Sequence, residues 1–127
     1  MQPSPTASPC VFGGDVFYCS AKSGFVPGGG IQTPELEGQL RQTMRNLLDG
    51  LEEAGLGWQD VVATNVYLDD IADFERMNAV YRTYFAEAPP ARTTLQQAPS
   101  LGAARTAGAP GKYPTLEQIS LIAARRR

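Results

Sequence analysis

Histidine is absent from this chain of 127 residues. That excludes Ser-His-Asp and Cys-His nucleophilic chemistry and every histidine-ligated metal. Acid–base work near neutral pH falls to carboxylates, to a perturbed lysine, tyrosine or cysteine, or to the substrate itself. Cysteine is scarce, and Cys10 and Cys19 fit no CxxC spacing for metal or redox chemistry. A Cys10–Cys19 bridge is open on paper, but reduced thiols are the expectation for a cytoplasmic chain. No excess of basic residues exists: Lys and Arg total 11 against 13 Asp and Glu, a formal net charge of −2. A large nucleic-acid footprint needs a basic face and is disfavoured, although a small basic patch is not. No run is long and apolar enough to span a bilayer. Met1-Gln2-Pro3-Ser4-Pro5-Thr6 lacks the basic and apolar regions of a signal peptide, so a cytoplasmic location is expected by default. Pro27-Gly28-Gly29-Gly30 lacks the GxxxxGK[ST] spacing of a phosphate-binding loop and reads as a flexible connection.

What is present suits a single domain over residues 1–127, with 43% hydrophobic residues. Residues 1–9, rich in proline and serine, read as a loose arm. Gly13-Gly14-Asp15 is a turn signal, and Val16–Ser20 reads as a strand. Thr33-Pro34-Glu35 reads as a helix start, with a hydroxyl cap and proline at the first helical position. Leu36, Leu40, Met44, Leu47, Leu48 and Leu51 then recur at helical spacing, and Gly55 stands where a helix-ending glycine would. Trp58 reads as a packing anchor, and Val61–Leu68 as a strand. Asp70 or Asp73 caps a second helix whose stripe is Phe74, Met77, Tyr81, Tyr84 and Phe85, with Asn78 beside it as a structural hydrogen-bonder.

Two prolines close that pattern, and Arg92–Gln97 reads as a strand after them. Residues 99–114 form a long excursion, and Leu116–Ala123 is the last strand. By period two, Leu116, Gln118, Ser120 and Ile122 share one face, and Glu117, Ile119, Leu121 and Ala123 the other. The tail Arg125-Arg126-Arg127 reads as solvated. The order predicts an α+β fold, a mixed sheet with both helices on one face. The other face also carries apolar residues, and another subunit is its natural cover.

The stretch Pro89-Pro90-Ala91-Arg92-Thr93-Thr94 places a guanidinium at the mouth of a strand. Such a group either pairs with a neighbouring acid or grips a small carboxylate through two parallel hydrogen bonds.

Several stretches together are similar to one known family. They are Gln39-Leu40-Arg41-Gln42-Thr43 with Asn46-Leu47, Leu51–Leu56, Asp60-Val61-Val62, Val66-Tyr67-Leu68, Asp73-Phe74, Met77-Asn78, Tyr81 and above all Pro90-Ala91-Arg92-Thr93-Thr94. In that order and spacing the chain resembles the Rid family, also called YjgF or L-PSP endoribonuclease, over residues 14–97 and the last strand. The resemblance implies a chorismate-mutase-like fold and a homotrimer with clefts between subunits. It implies hydrolysis of reactive 2-imino acids to 2-keto acids and ammonia, with no metal or cofactor. It makes Arg92 the carboxylate-binding residue, puts Ser20 in the same cleft, and gives the backbone around Thr94 polar contacts to the ligand.

Three departures bear on chemistry. Deaminase members carry a glutamate in the last strand where this chain has Ser120, which can hold a water but cannot act as its base. Glu117, three positions away, falls on the opposite face. Members carry a cysteine at Thr94, and the tyrosine of the N-terminal arm has no counterpart in residues 1–13. The excursion at 99–114 is also longer than in the deaminase prototype, and either rims the cleft or is a neutral insertion. Besides an imine deaminase, the residues therefore allow a module that binds 2-keto acids without turning them over. A ribonuclease ranks last, because the acidic balance and the missing histidine and basic–aromatic stripe give RNA no surface.

Overall fold

A computed structural model of the chain describes residues 8–98 and 113–125. Most of the expected N-terminal arm, the excursion from 99 to 112, and Arg126 and Arg127 lie outside the described residues. Five strands form the main sheet: β1 (Cys10–Gly13), β2 (Val16–Lys22), β5 (Val61–Leu68), β6 (Ala91–Gln96) and β7 (Glu117–Ala124). Their order is β1-β2-β7-β5-β6. Only β5 and β6 run parallel; the other neighbours are antiparallel. A short hairpin, β3 (Phe25–Val26) with β4 (Gly30–Ile31), stands apart. Helix α1 spans Leu36–Glu53 and α2 spans Phe74–Tyr81. The parallel β5–β6 pair requires a crossover, and α2 supplies it.

Alternation puts Phe17, Cys19, Thr64, Val66, Leu68, Ile119, Leu121 and Ala123 on the helix side, all buried. Leu36, Leu40, Met44, Leu47 and Leu51 of α1, with Met77, Val80 and Tyr81 of α2, complete one core. This is the expected mixed sheet with two helices on one face. The opposite face keeps apolar groups in the open: Val11, Tyr18 and Leu95 are 53%, 47% and 40% exposed.

Several local expectations shift. The first helix begins at Leu36 with Glu35 as its extended N-cap. Thr33 Oγ1 accepts from the Glu35 backbone N–H at 3.1 Å, so its hydroxyl closes a turn before the helix, and Pro34 lies outside it. Gly55 holds φ +78°, which suits glycine after a helix end. Asp70 caps a 3₁₀ turn, Ile71–Asp73, by accepting from Ala72 N at 2.9 Å, and α2 follows directly. Tyr84 and Phe85 lie beyond that helix, where Trp58 meets both edge-on at 5.6 and 5.4 Å between ring centroids. Cys10–Gly13, just past the predicted arm, is a strand not anticipated from the sequence, and the predicted connection over residues 27–30 joins the two strands of the β3–β4 hairpin.

The expectation of reduced thiols is overturned. Pairing of β1 with β2 sets Cys10 directly opposite Cys19, and the two form a disulfide with Cα atoms 4.1 Å apart. The strand missed in the sequence is what brings the sulfurs together.

Gln39 and Thr43, polar residues beside the apolar stripe of α1, are fully buried. Gln39 Nε2 donates to the carbonyls of Thr33 at 2.9 Å and Pro114 at 3.0 Å, and its Oε1 accepts from Leu116 N at 2.9 Å. This one carboxamide ties the start of β7 to α1. Gly24 packs against the same residue: a Cβ there would lie 2.6 Å from the Gln39 carbonyl oxygen.

Candidate functional site

Two prolines hold residues 89 and 90 out of any helix, and β6 begins at Ala91. Its register sets Arg92 beside Thr64 of β5 and Thr94 beside Val66, on the side of the sheet that faces α2. The guanidinium carbon lies 4.8 Å from the Tyr81 ring centroid and 5.5 Å from that of Phe74. Arg92 Nη1 reaches Met77 Sδ at 3.9 Å. Rings beneath a planar cation cover its face and leave its N–H edges available. Among the described residues no carboxylate pairs with Arg92; the acids Glu35, Glu37 and Asp73 pair with Arg76.

The platform is itself held. Tyr81 OH and Thr64 Oγ1 lie 2.7 Å apart in the core. Burial raises the Tyr81 phenol above its usual range, opposed by the Thr64 hydrogen bond and the nearby Arg92 charge. Phe74, Met77 and Tyr81 read in the sequence as core, and they are also the bed of Arg92. The signal for the second role was the strand–helix–strand order, which lays α2 over the strand that follows it.

The other candidate residues are dispersed. Thr94 shares the face of Arg92, two positions along, and its Oγ1 is buried without a hydrogen-bond partner. Ser120 points to the opposite face, as the period-two reading has it, where Asn65 Nδ2 donates to its Oγ at 3.4 Å. Ser20 is exposed on β2, and its hydroxyl donates to the Pro9 carbonyl at 3.0 Å. With β7 and β5 between them, β2 and β6 are three strand spacings apart, about 14 Å. One chain thus brings together Arg92 and Thr94 but neither serine.

Glu117 opposes Leu68 across the β5–β7 pair and is fully buried. Thr43 Oγ1 donates to its Oε1, while Oε2 has no partner. Burial pushes the carboxyl up to about 8, with the Thr43 hydrogen bond opposing. At neutral pH it is a protonated acid sealed from solvent, on the face away from Ser120. Among the described residues no three or more His, Cys, Asp or Glu side chains gather as a metal site. No helix there is long and apolar enough to cross a membrane.

Comparison with known proteins meets this geometry. The family model described as endoribonuclease L-PSP matches residues 3–102. A RutC family protein of Synechocystis is 47% identical over 64 residues, 50% of this chain and 49% of that protein. The mouse protein named 2-iminobutanoate/2-iminopropanoate deaminase is 37% identical over 82 residues, 64% of this chain and 61% of its own length. The match thus spans about half to three-fifths of these two relatives' length. The crystal structure of RidA from an Antarctic Psychrobacter superposes with a TM-score of 0.80 at 28% identity, covering 96% of this chain and 92% of that one.

Proposed function

Since the chain belongs to the endoribonuclease L-PSP family, we propose that it hydrolyses reactive 2-imino acids to 2-keto acids and ammonia. The observation that carries the reading is Arg92, a stacked guanidinium without an acid partner among the described residues. Its free edges suit a bidentate grip on the substrate carboxylate, each charge-assisted bond contributing roughly 1.5–3 kcal/mol. The name of the mouse relative supports the substrate class.

Water adds to the C=N carbon of the protonated imine, whose π pair moves to nitrogen. The carbinolamine then collapses, the C–N bond breaks, and ammonia leaves with the proton released by the hydroxyl. A protonated imine is already a strong electrophile, so a held carboxylate and polar donors around the carbon accelerate the step by orientation. Ser120 positions water without taking its proton. Lacking a general base costs something like 10²–10⁴-fold in rate. The cleft is completed between subunits of a homotrimer, whose contacts cover the open sheet face. No metal or cofactor takes part.

The test mixes the purified protein with an amino-acid dehydratase and follows keto-acid formation. Faster decay of the imine, lost in Arg92→Ala, is expected. No acceleration, or acceleration that Arg92→Ala leaves intact, sinks the reading. A specific observation favours a second one, binding of 2-keto acids without turnover: Ser120 stands where a water-guiding carboxylate is expected, and the nearest acid in sequence, Glu117, is buried with its carboxyl pushed up to about 8. Calorimetric binding of a keto acid with no imine turnover selects it.

A further inference from the structure

Strand β2 carries an irregularity that re-aims one side chain. Cys19 opposes Leu121 and Lys22 opposes Ile119, so three steps along β2 match two along β7. Without the extra residue Ala21 would oppose Ile119 and Lys22 would stand on the open face. The bulge turns Lys22 instead to the helix side, the side of Ile119 and Leu121. There it lines a groove of about 410 Å³ between β2, the start of β3 and α1, with Ser23, Phe25, Asn46 and Asp49.

The polar groups on this wall differ in how far they are committed. Asn46 Nδ2 donates to the carbonyls of Ser23 at 3.0 Å and Phe25 at 2.8 Å, and its Oδ1 accepts from Gln42 Nε2 at 3.0 Å. It shapes the groove with both of its N–H donors committed to backbone carbonyls. Lys22 and Asp49 make no ion pair, with each other or with any other described residue. Burial lowers the Lys22 amine from its usual range, and no neighbouring carboxylate opposes this. A half-buried amine of that kind has more of its neutral, nucleophilic form at neutral pH than a solvated lysine.

We propose that Lys22 is a carbonyl-capture site, taking small uncharged aldehydes or ketones in this groove as reversible Schiff bases. The neutral Nζ attacks the carbonyl carbon, forming the C–N bond while the C=O π pair moves to oxygen, which gains a proton. The nitrogen lone pair then expels that oxygen as water, leaving a protonated imine on Nζ. Aldehyde and ammonium give iminium and water, with no oxidant or reductant consumed. Asp49 is the other titratable group on the wall; its carboxylate can take the proton that the attacking nitrogen sheds and return it to the departing hydroxyl. Its negative charge disfavours anionic keto acids, and Phe25, Ala21 and Pro27 offer apolar surface, so the ligand class is the uncharged carbonyl. This site is separate from the carboxylate site at Arg92 and does not rest on the reading given for it.

The chain provides its own reference, because it contains one further lysine, Lys112. Native protein at pH 7 is treated with butanal and cyanoborohydride, which reduces each iminium to a stable secondary amine, and labelling is followed by peptide mass mapping. Lys22 is expected to label faster than Lys112, by about twofold or more, and the two to label alike in urea. Lys22→Arg keeps the charge and removes the fast site. Labelling of Lys22 no faster than Lys112 in the folded protein overturns the proposal. So does an advantage of Lys22 that persists in urea, since the groove would then not be its source.

Discussion

Replacing Glu117 by glutamine tests whether this core holds a protonated acid. The folded carboxyl lies at about 8 and its ordinary value is 4.5. Between those values the folded state keeps a proton that the unfolded state releases, so stability falls as pH rises through the window. Below pH 4.5 both states are protonated and the contribution is complete; above pH 8 the loss is complete. Weighted by the two titrations, the loss grows by about 2–3 kcal/mol from pH 5 to pH 7. Glutamine keeps the acceptor for Thr43 Oγ1 and has no proton to lose. Its amide nitrogen occupies the place of Oε2, which has no partner, and that burial costs roughly 1–3 kcal/mol at every pH. The variant is therefore less stable than wild type at pH 5 and gains on it by about 2–3 kcal/mol by pH 7. Urea unfolding followed by circular dichroism at pH 5, 6 and 7 measures the slope. Without histidine in the chain, this window is almost clear of other side-chain titrations. Wild type and Glu117→Gln curves that run parallel across it would refute the reasoning.

Three further perturbations probe other contacts. Tyr81→Leu removes the nearer ring beneath Arg92 and should weaken keto-acid binding by about 2–30-fold in calorimetry, whereas Tyr81→Phe keeps the ring and loses only about 1 kcal/mol of folding stability with the Thr64 hydrogen bond. Cys10→Ser with Cys19→Ser opens the short loop that the disulfide closes, and should lower thermal stability by roughly 2–3 kcal/mol in calorimetric scans. Gly24→Ala drives a Cβ into the backbone of Gln39 and should cost about 1–3 kcal/mol in urea unfolding, with β7 amides exchanging faster because Gln39 anchors its start.

The legible parts of the fold were those with local signals long enough to stand alone. Val61–Leu68 is a near-continuous run of β-formers, and its observed ends match the expected ones. The last strand alternates strictly, so the opposition of Glu117 and Ser120 could be read before any fold was known. Strand β1 has four residues, ends in glycine, and exists through its pairing with β2, which no local pattern announces. The disulfide was hidden for the same reason. At the site, Arg92 stood out because two prolines and a β-branched run frame it, whereas its bed was masked by chemistry it shares with a core. Phe74, Met77 and Tyr81 bury apolar surface whether or not a cation rests on them. Lys22 was illegible because a bulge reverses the face that alternation assigns.

The division of the candidate residues between faces constrains how the proposed reaction can be assembled. In a 2-imino acid the reacting carbon is bonded directly to the carboxylate carbon. A substrate gripped by Arg92 therefore presents its C=N bond within a few ångströms of the guanidinium edge. Ser120 lies two strands away from β6, on the opposite side of the sheet. No rotamer of either side chain spans that gap within one chain. A Ser120 that holds the attacking water at Arg92 must therefore come from another copy, its open sheet face laid against the β6 edge. On this reading carboxylate binding and water positioning belong to different molecules. Dilution that separates the subunits should then abolish turnover while leaving the fold of each chain and its bed beneath Arg92 in place.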